Sequence, residues 1–283
     1  MKKLFSLLLA GLMIVSFAAC SNEKEEGSDL DAYVQEDVVV DHYVNEATGE
    51  TFYFDSLDSE TITITKYDGP DLPHKVEIPA VMHDRKVAGI SEMAFYSLSN
   101  ITEVVIPEGI TVIDDMAFAE CRQLTSITIP ASVEKLGVAA FKGCISLKSI
   151  TFQAGSKLTA IPTAAFMHCS AMESLTVPGY IATVGDSAFQ GCESLKSIVI
   201  EEGVKSIGNQ AFQNCKALET LKLPASLTEI KGDEESGKNF NFTGCDALYI
   251  EGVTVPADAN SVAAKYVADL KLQNKPVEPE AGV

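Results

Sequence analysis

The sequence predicts a parallel β-solenoid of about seven turns. Three observations carry this. Phenylalanine recurs at Phe95, Phe118, Phe141, Phe166, Phe189, Phe212 and Phe242, with spacings of 23, 23, 25, 23, 23 and 30 residues. Fixed apolar columns travel with it. Three residues after each Phe stand Leu98, Cys121, Cys144, Cys169, Cys192, Cys215 and Cys245, and five before the first six stand Ile90, Ile113, Leu136, Ile161, Val184 and Ile207. Each unit also holds a stretch such as Leu124–Pro130 (LTSITIP), in which apolar and polar residues alternate. A single unit has too little partner surface to bury its own apolar side chains. Stacking equivalent units makes each column continuous and buries all of them.

Lys2 and Lys3, an apolar run from Leu4 to Val15 and the small pair Ala18-Ala19 predict a signal peptide over 1–19. The run is too short to span a bilayer. Residues 20–32 open with Cys20 and continue as SNEKEEGSDLD, too polar to fold, and predict a flexible tether. Residues 33–77 contain Thr51–Asp55, Glu60–Tyr67 and Lys75–Ile78, which read as strands between turn residues and predict an N-terminal β-cap. Residues 78–255 are the repeats, entered through a hairpin insertion at His83–Lys86.

Within a repeat, the alternating β-branched stretch predicts a short strand. Its closing proline lacks the N–H needed to continue a ladder. Segments such as Gly137–Cys144 are too short and glycine-rich for a long helix, and predict a single helical or 3₁₀ turn that drives its Phe into the core. The last unit is irregular. Residues 231–238 are inserted, Asn241 replaces the usual Ala, and Glu251 breaks an apolar column. Residues 256–283 predict a closing helix over Ser261–Leu270, N-capped by Asn260 or Ser261, and a frayed tail.

Three resemblances follow from these residues. The segments IPEGITVIDDMAFAECRQLTSIT (106–128) and IPASVEKLGVAAFKGCISLKSIT (129–151) resemble the BspA-type leucine-rich repeat, also seen in treponemal surface proteins. The likeness spans about residues 78–255. It implies a curved leucine-rich-repeat β-solenoid on a bacterial surface, whose members include adhesins for host matrix proteins. A Cys after two small residues resembles a bacterial lipobox, although Phe17 stands where Leu is usual. This implies lipid attachment at Cys20. Glu23, Glu25 and Glu26 loosely resemble the surface-export signal of Bacteroides-type lipoproteins. Together these imply an outer-membrane lipoprotein of a Gram-negative bacterium, exposed at the surface.

Composition excludes several functions. The formal charge is −19, and −21 once Lys2 and Lys3 are removed. Such a surface repels phosphate backbones and anionic lipid heads, so no nucleic-acid partner is expected and the membrane link is the lipid alone. No catalytic motif, metal-ligand spacing or cofactor signature appears, so the chain reads as a non-enzyme without metal or cofactor. His42, His74, His83 and His168 are scattered, and His168 beside Cys169 reads as an exposed turn residue. The acidic loop Asp233–Glu235 and the pair Asp114-Asp115 lack a calcium-loop pattern and read as solvated. The six repeat cysteines occupy one core-facing column and are expected as buried thiols and not as disulfides.

The remaining candidate is a binding face. Two polar positions per strand point away from the core. One column reads Glu103, Ser126, Ser149, Ser174, Ser197 and Thr220. The other reads Val105, Thr128, Thr151, Thr176, Val199 and Lys222. Short hydroxyls leave room for a partner and offer donors and acceptors. The expected function is protein binding or adhesion, with a host matrix or neighbouring-cell protein as partner. The alternatives are an envelope scaffold or a glycan-binding accessory lipoprotein, the latter disfavoured by zero Trp and 8 Tyr.

Overall fold

The computed structural model describes residues 41–232 and 241–270. The signal peptide, Cys20, the tether, Asp233–Glu235 and the tail lie outside the described residues. The chain divides into Met1–Val39, which falls among these, and one compact unit, Val40–Val283.

That unit is a parallel β-solenoid of about seven turns. It opens with an antiparallel meander of β1 (His42–Asn45), β2 (Glu50–Ser56) and β3 (Thr61–Asp68). Strand β3 then pairs in parallel with Arg85–Ile90, which joins the cap to the repeats. The expected hairpin insertion is present. Val81–Met82 pairs antiparallel with Arg85–Lys86, and the two linking residues, His83 and Asp84, both adopt positive φ, the backbone a two-residue hairpin with the sheet's twist requires.

The repeats build two parallel ladders. The strand face runs through Ile101–Val105, Ser126–Ile129, Ser149–Phe152, Ser174–Val177, Ser197–Ile200 and Thr220–Lys222. In Ser126–Ile129 the alternation exposed–buried–exposed–buried matches the period-2 reading, and the strand stops before Pro130. The second ladder uses two-residue strands, Val112–Ile113, Lys135–Leu136, Ala160–Ile161, Thr183–Val184, Ser206–Ile207 and Glu229–Ile230. Their buried members are the apolar residues five before each Phe.

The Phe-bearing edge is the most regular part. Each Phe N–H donates to the alanine carbonyl one coil on, from Phe95→Ala117 to Phe189→Ala211, five bonds all of 2.8 Å. Single turns closed by i→i−3 bonds flank the Phe, as in Ala119→Met116 and Cys121→Phe118. They do not propagate as helix, because the residues two before and two after the Phe adopt φ between 51° and 77°. This breaks the helical run and frees N–H groups for the next coil. Glycine suits the second of these sites and occupies it at Gly143, Gly191 and Gly244. His168 fills the same site at φ 63°, with an exposed side chain, as the turn reading expects.

Inside, the rings form one stacked spine. Consecutive Phe centroids lie 4.8–5.6 Å apart with interplanar angles of 2–19°. Each end is closed by a tyrosine. Tyr67 stacks on Phe95 at 5.1 Å, and Tyr266 meets Phe242 at 6.0 Å. Tyr67 is buried. Its hydroxyl donates to Glu50 Oε1 at 2.8 Å and lies 2.8 Å from His74 Nε2. Tyr266 sits on α1 (Val262–Asp269), the expected closing helix, whose N-cap is Ser261: its side chain accepts from the Ala264 N–H. Asn241, read only as a departure from Ala, is fully buried. Its Oδ1 accepts from the Ala211 N–H at 2.8 Å and its Nδ2 donates to the Lys231 carbonyl. The amide thus ties the irregular last coil to the one before it.

Candidate functional site

The outward columns stand on the strand face because that ladder's inward residues are locked into the core. Ile127, Leu175, Ile198 and Leu221 are buried, which fixes the alternate residues outward. Pairing brings equivalent positions side by side: Ser126 with Ser149, Thr128 with Thr151, Ser174 with Ser197 and Thr220, and Thr176 with Val199 and Lys222. Ser126, Thr128, Ser149, Thr151, Ser174, Thr176, Thr220 and Lys222 are exposed, whereas Ser197 and Val199 are half-buried.

The face is not one unbroken ladder. Three paired segments make it up: His74–Glu77 with Ile101–Val105, Ser126–Ile129 with Ser149–Phe152, and the four strands from Ser174–Val177 to Val253–Thr254. The second break follows the 25-residue unit. Its two extra residues follow Phe152, where Gln153 replaces the usual proline. Glu173 N–H still donates to the Lys148 carbonyl at 3.2 Å, so the coils stay joined at the strand entrance.

Charge sits at the two ends of the face. Lys75 bridges Glu77 at 3.0 Å and Glu103 at 3.3 Å, and these two carboxylates hold its ammonium above the ordinary lysine range. A shallow pocket of about 220 Å³ opens beside them, between Glu103, Val105, Ser126 and Thr128. At the other end a groove of about 670 Å³ is lined by Glu219, Thr220, Asp246, Tyr249 and Glu251. Tyr249 is an aromatic that the column reading missed, because the strand is displaced there by a 3₁₀ turn at Ile250–Gly252.

Other acidic side chains have structural partners. Glu108 accepts from the Ala131 and Ser132 N–H groups, and Glu202 from those of Ala225 and Ser226 one coil on. The Ala225 bond lowers the Glu202 carboxyl below its ordinary range. Asp115 likewise caps the Val138 N–H at 2.7 Å, and Asp114 pairs with Lys135 at 2.9 Å, so neither is simply solvated. Among the described residues no group of three or more His, Cys, Asp or Glu is placed to hold a metal ion, and no helix is long and apolar enough to cross a membrane.

The cysteine column lines the core as free thiols. Each Sγ–H donates to the carbonyl of the Phe one coil back, at 3.1–3.5 Å. Burial pushes Cys121 and Cys192 up to about 12 and raises Cys144 and Cys169 well above 9.0. Cys169 is therefore no partner for the exposed His168: a nucleophile needs thiolate, and this site disfavours it. The expected result with a thiol reagent is almost no reaction in the folded protein and six repeat thiols titrating after denaturation without reductant. A denatured count near zero would mean the column is oxidised.

The family described as BspA type leucine-rich repeat region matches in six copies, over residues 88–219 and 159–272. The chain belongs to this family. The BspA-type repeats coincide with the described coils. Among solved structures, the chain is similar to a leucine-rich repeat protein from Eubacterium ventriosum, at 27% identity and a TM-score of 0.53, covering 61% of this chain and 43% of that one. It thus spans under half the length of that relative. A T. pallidum leucine-rich repeat protein matches at 23% identity and a TM-score of 0.44, covering 71% of this chain and 89% of that one. No curated protein matches the sequence. The BspA-type solenoid is a repeat scaffold of the kind that serves binding, since stacked units present one extended surface.

Proposed function

We propose that this chain is a lipid-anchored surface protein that binds a protein partner through its strand face. The binding residues are Ser126, Thr128, Ser149, Thr151, Ser174, Thr176, Ser197 and Thr220, with Glu103 and Lys222 at the ends. One observation carries the reading: small hydroxyls stand in register on strands whose other face is packed into the core. Such a surface is flat, rigid and able to donate and accept, so little ordering cost opposes docking. These two columns hold no aromatic ring, which favours a protein over a glycan. Cys20 carries the lipid, the outer membrane holds the anchor, and a host matrix or neighbouring-cell protein is the partner.

The experiment has two steps. Protease shaving of intact cells is expected to remove the protein while a periplasmic control survives. Full protection would replace this reading with that of an envelope scaffold. Shaving then justifies a screen of matrix and neighbouring-cell proteins. Thr151→Lys with Thr176→Lys, which places two long cations on the flat face, is expected to weaken binding of the identified partner at least about tenfold. Unchanged binding would move the site off this face.

A further inference from the structure

A row of four charged residues runs along the strand entrance, one position before the hydroxyl column: Lys148, Glu173, Lys196 and Glu219. Their backbones are bonded directly in series. Glu173 N–H donates to Lys148 O at 3.2 Å, Lys196 to Glu173 at 2.9 Å and Glu219 to Lys196 at 2.9 Å. The side chains are all exposed, and adjacent coils lie about 4.8 Å apart, so alternating signs would be expected to pair within the chain. They do not. Elsewhere the coils close such pairs readily, as in Lys157–Glu134 at 2.6 Å and Lys216–Glu193 at 2.8 Å. None of the four row residues forms an ion pair within 4.0 Å among the described residues.

We propose that this row is an interface for a second copy of the same chain, docked antiparallel about a two-fold axis between Glu173 and Lys196. The sequence K-E-K-E is self-complementary at all four positions under that operation. Glu173 faces Lys196 of the second copy, and Lys148 faces its Glu219, each contact occurring twice, as an isologous interface requires. An in-register parallel arrangement, or an antiparallel slip by one coil, sets like charges opposite each other and is rejected, and a parallel slip by one coil pairs only three positions without closing. Ser149, Ser174, Ser197 and Thr220 beside the row are small enough to let the two faces approach, and because they belong to the proposed partner face, the second copy and the partner compete for them.

The groove at the end of the row is a second, independent observation. It holds Glu219 together with Asp246 and Tyr249. Lys216 also lines it, its ammonium already paired with Glu193 at 2.8 Å, and under the two-fold the groove receives Lys148 of the second copy, setting that ammonium against Glu219, Asp246 and Tyr249. The net charge of −21 per copy, without Lys2 and Lys3, opposes association at long range. Ionic strength near 0.15 M screens that repulsion beyond about 8 Å and leaves the contact pairs largely intact.

The test is sedimentation velocity on residues 21–283, which retain the whole compact unit, at roughly 1–100 µM and near-physiological salt. A concentration-dependent dimer is expected. Lys196→Glu is expected to weaken it about tenfold or more, by setting two carboxylates against each other at both symmetric contacts. The swapped pair Glu173→Lys with Lys196→Glu restores opposite signs and is expected to return the parent affinity within about threefold. A monomer throughout the range, a dimer indifferent to Lys196→Glu, or a swap that fails to restore it would each overturn the proposal. Partner binding is measured separately, so a monomer that still binds its partner leaves the earlier reading standing.

Discussion

Replacing Phe141 with alanine is expected to lower the free energy of unfolding by about 3–5 kcal/mol, enough to unfold much of the population of a marginally stable protein. The ring is fully buried. It lies between Phe118, at 5.2 Å and 2°, and Phe166, at 5.4 Å and 3°. Truncation removes apolar transfer energy, leaves a cavity that flanking backbone bonds keep from collapsing, and deletes two ring contacts worth about 0.5–1.5 kcal/mol each. Position matters as well. A solenoid is held by neighbour-to-neighbour contacts, so damage in the middle uncouples the two halves. Phe242→Ala should cost clearly less. That ring is 7% exposed, and its outer neighbour Tyr266 is tilted by 55°. Urea titration followed by circular dichroism measures both. Equal losses below about 1.5 kcal/mol would show that the spine is not the main source of cohesion.

The spine, the strand face and the closing helix were legible in the sequence because each follows a period. Phe recurs every 23 residues, the strand alternates every second residue, and Ser261 precedes a helical run. What lacked a period was missed. Tyr67 and Tyr266 extend the spine at both ends, yet one belongs to a meander strand and the other to a helix, so no repeat spacing links them to Phe95 or Phe242. The second ladder was visible only as one apolar position per unit. Two-residue strands are too short to alternate, and their pairing is dictated by the coil above. At the candidate site, alternation put Ser126 and Thr128 on the outward face. It did not reveal that the pairing breaks between Ser149–Phe152 and Ser174–Val177. Whether two neighbouring strands bond depends on their backbone paths, which side-chain polarity does not encode. Nor did composition expose the unpaired row Lys148–Glu219, since alternating charge reads as ordinary surface until the absence of in-chain ion pairs is seen.

Alkaline pH is expected to unfold this protein steeply, through the cysteine column. Burial pushes Cys121 and Cys192 up to about 12 from an ordinary 9.0, and raises Cys144 and Cys169 well above it. Cys215 is raised by the neighbouring Cys245 thiol as well as by burial. The direction of the linkage follows from proton counting. Below about pH 9 both states hold the thiol proton and stability is unaffected. Above it, the unfolded chain releases protons that the folded chain retains, so stability falls with pH until the folded thiols titrate near 12. Each such thiol removes about 1.4 kcal/mol per pH unit across that window, so a few of them together exceed the typical stability of a domain. Tyr67 and Tyr266, both raised mainly by burial, act in the same direction at higher pH. Loss of lysine charge also strains an acidic surface, and a paired variant separates the two effects. Cys169→Ala with Cys192→Ala leaves the surface unchanged and should start less stable at pH 7, yet lose stability less steeply from roughly pH 9 to 11. Urea titrations across that range give both slopes. Parallel slopes would assign the alkaline transition to surface charge and remove the thiol column from the account.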